Sequence, residues 1–200
     1  MSIIPLPYPV GMPGLAVMVA GGLVFFATML KTRRGARGAA GPATRRSRAS
    51  IAGIALQMLG FASVGFGPVV ATLPATSPLA ILHAAIVAAL MTVSVLLFVH
   101  ATRTMGENWS FVARMRTGHE LVTGGIFGHV RHPIYVGMAV FLIALAFAFG
   151  HLANLIVGVP LFAIGTWIRV HEEERLLRAE FGQAYEDYAA RVKRFLPGLI

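Results

Sequence analysis

Between Gly118 and Gly137 the chain reads GHELVTGGIFGHVRHPIYVG. Three histidines, one arginine, one glutamate and five glycines stand together in an otherwise oily protein. The RHPIY run at Arg131–Tyr135 makes a particular chemistry available. Proline suits the first turn of a helix, because it has no N–H to leave unpaired and its φ is already helical. The free amides of that turn point back towards Arg131 and His132. A helix N-terminus, free amides and a fixed guanidinium together suit a carboxylate. A second polar cluster, Arg169 with Glu173 and Glu174, follows the next apolar run. A glutamate pair at a helix start also answers the helix dipole; beside another polar cluster at a membrane surface it is a candidate binding pair.

Other chemistries find less support. The chain has no cysteine, which removes thiolate nucleophiles, disulfides and cysteine metal sites. His119, His129 and His132 could be counted as metal ligands. Pro133 prevents a continuous helix through them and no carboxylate spacing supports the set, so no metal is expected. No GxGxxG follows a predicted strand, which excludes a Rossmann-type nucleotide site.

The elements that position these residues are membrane helices. Hydrophobic residues make up 56% of the 200, charged residues 12%, and the mean hydropathy is +0.74. The expected class is all-α, an integral membrane protein with five transmembrane helices, a polar cytoplasmic loop and a C-terminal helix. The spans are read at Met12–Leu30, Ile51–Leu73, Leu79–Ala101, Pro133–Phe149 and Leu152–Ile168. No Lys or Arg precedes the first, which predicts a retained helix rather than a cleaved signal. Gly60, Gly65 and Gly67 allow close helix contact in the second span, where Pro68 is expected to introduce a kink. His83 and His100, near the ends of the third, read as packing or interface histidines. Residues 1–101 form an N-terminal unit and residues 102–200 the core.

Charge gives the orientation. If the basic segment Lys31–Ser50 is inside, the inner segments carry seven, four and six of the 17 Lys and Arg, and the outer ones none. So lopsided a bias predicts an outside N-terminus and a cytoplasmic C-terminus, in an inner or plasma membrane of bacterial type. The net charge of +9 then belongs to topology and to anionic lipid, not to nucleic acid. In the tail, Leu177, Phe181, Tyr185, Tyr188 and Val192 make one apolar helical stripe. That helix either lies on the membrane face or other helices, or folds back over the central segment.

The central stretch and the tail together resemble the isoprenylcysteine carboxyl methyltransferase family of integral membrane methyltransferases. The resemblance rests on LVTGGIF at Leu121–Phe127, RHPIYVG at Arg131–Gly137, EERLL at Glu173–Leu177, FGQAYEDY at Phe181–Tyr188 and RFLP at Arg194–Pro197. One departure is Phe127, where the family often has Tyr. The resemblance implies S-adenosylmethionine as methyl donor, held by both motif halves. It leaves the acceptor open, since phospholipid, small-thiol and isoprenylcysteine methyltransferases share the pattern. Membrane sterol reductases, which use NADPH, also resemble it; for a 2′-phosphate only Arg114 and Arg116 are candidates here. A non-catalytic transport protein would want polar residues in mid-membrane, and the spans have almost none.

On this reading Arg131 and the amides after Pro133 take the donor carboxylate. His119, Leu121, Val122 and Gly125 line the cofactor, His132 and Tyr135 orient it, and Glu173 or Glu174 takes the ribose hydroxyls or the ammonium. Arg169 and Glu174 sit near the acceptor, with Arg169 neutralising an acidic group. The lipophilic acceptor enters from the bilayer. Membrane lipids are the surroundings, with no nucleic acid and no metal.

Overall fold

The computed structural model describes residues 7–38, 43–111, 114–116, 118 and 120–198. Six α-helices follow in chain order: α1 Met12–Gly38, α2 Ala49–Gly65, α3 Pro78–Met105, α4 Pro133–Phe149, α5 Leu155–Phe181 and α6 Gln183–Arg191. Two short strands, β1 Ala43–Arg46 and β2 Arg114–Arg116, pair antiparallel. The segments Met12–Thr32, Pro78–Met105 and Leu152–Phe181 are long and apolar enough to cross a membrane. The apolar helices α2 and α4 have 17 residues each, about 25 Å at 1.5 Å per residue. The chain is an integral membrane protein built almost wholly of helix. His119, expected to line the cofactor, lies outside the described residues.

Four expectations are corrected. Pro68 does not kink a long second span, because α2 has already stopped at Gly65 and Phe66 is extended. The last carbonyls of a helix need partners, above all away from water. Here they come from a distant turn. The His151 ring lies 2.9 Å from the Val64 carbonyl, and the Asn154 amide donates to those of Ser63 at 3.0 Å and Phe66 at 3.1 Å. Gly67, outside α2, makes no helix contact; its φ of +131° places it against the His151 ring. The charged segment after Ile168 is no junction: α5 continues through Arg169 and both glutamates to Phe181. Glu173 and Glu174 are interior helix residues, so the helix dipole does not explain them. The basic segment from Lys31 is not simply a loop either, since it continues α1 to Gly38 and then forms β1.

Packing divides the helices into two groups. α3 lies along α4 and α1, joined through Met18, Phe25, Val87, Met91, Phe98 and Phe141. α2 lies along α5, and there the backbones nearly touch. A Cβ on Gly53 would come within 2.7 Å of the Gly165 carbonyl, and one on Gly165 within 2.5 Å of the Gly53 carbonyl. Gly60 repeats the contact against the Gly158 carbonyl at 2.8 Å, as the sequence anticipated for that residue. Without a hydrophobic drive between helices in lipid, such close approach supplies the dispersion contact that holds them. Gly165→Val should therefore lower the melting temperature in detergent by about 3–10 °C. Val157→Leu, at a half-exposed position of the same helix, should leave it unchanged. A thermal melt of each variant checks this.

Candidate active site

The tail folds back over the central segment. After α6 the chain runs beside the entry to α4, where Val130 and Lys193 form a parallel bridge. The Arg131 amide donates to the Lys193 carbonyl and the His132 amide to the Arg194 carbonyl, both at 2.9 Å. Gly182, at φ +50°, breaks the apolar stripe into two helices and turns α6 inward, so that Tyr185 and Tyr188 are buried. The Tyr188 hydroxyl donates to the Phe127 carbonyl at 2.7 Å. Burial pushes the Tyr188 phenol up to about 12 against the opposing influence of Arg131, which keeps it a donor.

Glu174 holds this fold-back together. Its carboxylate is fully buried. It receives Arg194 through Nε at 2.9 Å and Nη2 at 2.7 Å. Arg131 Nη2 and His132 Nε2 each stand 3.2 Å from Oε1, and Arg178 Nη2 is 3.4 Å from Oε2. A buried carboxylate is tolerated when its lone pairs are filled in this way. Arg131 also gives Nη1 to the Ala189 carbonyl at 3.0 Å. Two of the turn amides expected to bind a carboxylate, those of Tyr135 and Val136, are taken up by the His132 carbonyl.

Glu173 points elsewhere. Residues 169 and 173 are one turn apart and share a face, whereas 174 lies about 100° further round. Glu173 accepts a short hydrogen bond from the Tyr135 hydroxyl. Arg169 Nη2 is 3.9 Å from Glu173 Oε1, and His132 Nδ1 is 3.7 Å from Oε2. The Arg169 guanidinium stacks 5.0 Å from the Tyr135 ring centroid and donates to the Phe111 carbonyl at 2.8 Å.

A cavity of about 570 Å³ joins these groups. One end is polar, with Glu120, Arg131, His132, Arg169, Glu173 and Tyr185. The other is apolar, with Phe25, Phe26 and Met29 from α1, Met58 and Phe61 from α2, and Phe141 and Leu145 from α4. Leu121, Val122 and Tyr135 also line it. Of the residues expected at the site, Glu174 and Gly125 do not line it. Glu174 lies behind Arg131 and His132, and Gly125, at φ +58°, lies where a Cβ would come within 3.2 Å of Thr104 on α3.

The sequence reading missed Tyr185, Trp109, Asn108 and the apolar lining from α1 and α2. Tyr185 stands in both the apolar stripe and the FGQAYEDY motif, and neither gave it a role at the site. Three buried polar atoms at this cavity have no hydrogen-bond partner among the described residues: Arg131 Nε, Arg169 Nε and the Tyr185 hydroxyl. Leaving such groups unpaired is costly unless a ligand or water completes them. Among the described residues no group of His, Asp and Glu could hold a metal ion.

Comparison with known proteins places this arrangement. The model of the phospholipid methyltransferase family matches residues 82–184, just over half of the chain. The protein-S-isoprenylcysteine O-methyltransferase of Schizosaccharomyces pombe is 31% identical over 98 residues, which cover 46% of this chain and 40% of that protein. The Mus musculus protein of the same name is 37% identical over 100 residues, 47% of this chain and 34% of its own. The Arabidopsis thaliana protein-S-isoprenylcysteine O-methyltransferase B is 31% identical over 100 residues, 47% and 49%. The match thus spans about half or less of these curated relatives. The family match begins within α3 and takes in RHPIY, the α4–α5 hairpin, both glutamates and the start of α6. The chain belongs to the phospholipid methyltransferase family.

Proposed function

We propose that the protein is an S-adenosylmethionine-dependent membrane methyltransferase whose acceptor is lipophilic or partitions into the bilayer. The observation that carries this is the two-ended cavity, in which one chamber offers charged and hydroxyl groups at one end and aromatic and aliphatic side chains at the other. The unpaired donors at the polar end fit the methyl donor, which brings a carboxylate, a ribose diol and an adenine. Arg131 Nε and the Tyr185 hydroxyl donate to it, and Glu173, held by Tyr135, takes the ammonium or the ribose hydroxyls. Leu121 and Val122 line it. His119 is retained as a further cofactor contact. Bound, the donor supplies an electrophilic methyl group on a sulfonium.

The chain's own task is to hold two molecules in line and keep water out. No side chain needs to act as nucleophile. Arg169, at the polar end beside Glu173 and Tyr135, neutralises an acidic acceptor group. Glu174 keeps Arg131 and His132 in place from behind. The curated relatives carry the name of isoprenylcysteine methyltransferases and the family that of phospholipid methyltransferases, so S-farnesylcysteine and phosphatidylethanolamine are the acceptors to try first. The charge asymmetry supports five spans with the N-terminus outside and the site at the cytoplasmic rim.

Titration of the detergent-purified protein with S-adenosylhomocysteine and, separately, with NADPH tests the reading. Binding of S-adenosylhomocysteine alone, with a dissociation constant in the micromolar range (~1–100 μM), is the expected result. Binding of NADPH alone would overturn it in favour of a reductase.

A further inference from the structure

We propose that Gln57, on α2, is a positioning residue for Arg169, so that a helix outside the family-matched region fixes the guanidinium at the polar end of the cavity. This rests on the reading of that cavity as a methyl-transfer site. Gln57 is 1% exposed in the middle of an apolar helix. In hydrocarbon a glutamine amide is unfavourable unless both of its ends are bonded. Both are: Oε1 accepts from Arg169 Nη1 at 2.8 Å, and Nε2 donates to Thr166 Oγ1 at 2.8 Å. Arginine has only donors, so the amide end facing it must be the oxygen.

Packing alone would not call for glutamine at this place. An apolar side chain of the same length would fill the space against Gly165, whose Cβ position lies 2.9 Å from Gln57 Cγ. What glutamine adds is a fixed acceptor. With Nη1 on Gln57 and Nη2 on the Phe111 carbonyl, the guanidinium is tethered at two corners above the Tyr135 ring. Nε is left without a partner among the described residues. The close Gly53–Gly165 approach brings α2 near enough for the tether. Without Gln57 the guanidinium loses one of its two tethers beside a carboxylate, Glu173, whose Oε1 lies 3.9 Å from Nη2, and closing onto that carboxylate withdraws Arg169 from the acceptor. Neither RHPIY nor the glutamate motif contains Gln57, which precedes the matched residues 82–184.

The test compares Gln57→Met, Gln57→Glu and Thr166→Val with the wild-type full chain. Melting temperature, S-adenosylhomocysteine affinity, and kcat and KM with radiolabelled methyl donor are measured. The acceptor is whichever of S-farnesylcysteine and phosphatidylethanolamine the wild type methylates. Gln57→Met should lower kcat about tenfold or more, while the S-adenosylhomocysteine dissociation constant stays within about twofold. Gln57→Glu, which keeps an acceptor oxygen on Nη1, should recover most of that loss. Thr166→Val, which cuts only the other bond, should keep kcat within about twofold. If Gln57→Met does not fold, Gln57→Asn, one methylene shorter, carries the same expectation. Wild-type kcat in Gln57→Met, or an equal fall in Thr166→Val, would make Gln57 a helix-to-helix contact and nothing more. A wild type that neither binds S-adenosylhomocysteine nor transfers methyl overturns the methyl-transfer reading and this inference together. A working wild type beside a silent Gln57→Met overturns this inference alone.

Discussion

Glu174→Ala should yield a protein that inserts but does not hold its cytoplasmic half. The substitution strips the common partner from Arg131, His132, Arg178 and Arg194. Arg131 is nine-tenths buried and its Nε is already unpaired, so it cannot turn to water. Removing one side of a buried ion pair costs about 3–5 kcal/mol, a large share of the stability of an ordinary domain. Limited proteolysis should cut the segment before α4 or the tail after α5 in Glu174→Ala and spare the wild type. S-adenosylhomocysteine binding should fall below detection, because Arg131 and His132 would no longer be fixed. A variant with wild-type melting and wild-type binding would mean that the three arginines and His132 are held by something else. By the same argument Arg131→Ala should lose stability as well as ligand, whereas Glu173→Ala, at the cavity wall with 27% of its side chain exposed, should lose ligand only.

The second large effect belongs to Arg169→Met. Methionine keeps the aliphatic packing against Gly53 but is shorter and carries no charge. Charge stabilisation in a site shielded from water is worth about 100-fold or more in rate. The expected result is a loss of that order in kcat for an anionic acceptor, with S-adenosylhomocysteine affinity within about threefold of wild type. If donor affinity falls as far as the rate, Arg169 belongs to the donor site and its place beside the acceptor is wrong. If the accepted substrate is phosphatidylethanolamine and the rate is unchanged, Arg169 is structural.

The sequence made α4 legible to the residue, because Pro133 fixes a helix start and Gly150 a helix end by backbone chemistry alone. The meeting of the polar residues on either side of the α4–α5 hairpin was implied by the family resemblance, while the residues alone also allowed the tail to lie on the membrane face. The end of α2 was not legible, since FGPVVATL keeps the hydropathy of a span. What stops the helix there is Pro68 together with partners from His151 and Asn154, far along the chain. The continuity of α5 was hidden for the opposite reason: charges from Arg169 onwards read as an exit from the helix, and the cations that satisfy Glu174 come from α4 and the tail. The separate roles of the two glutamates could have been found by helical phase, which pairs Arg169 with Glu173 rather than Glu174. Gln57 carried a signal too, being a polar side chain in mid-span, but a single amide does not name its partner.

The clasp between the entry to α4 and the tail sets an order of events during synthesis. Arg131 waits for the Ala189 carbonyl, 58 residues further along. At ~5–20 residues per second that is an interval of roughly 3–12 s. The hairpin of α4 and α5 can enter the bilayer in that time with its arginine and histidine still wet. The pocket therefore stays unassembled while the hairpin is being threaded into lipid, and it closes only once α6 has left the ribosome and docked.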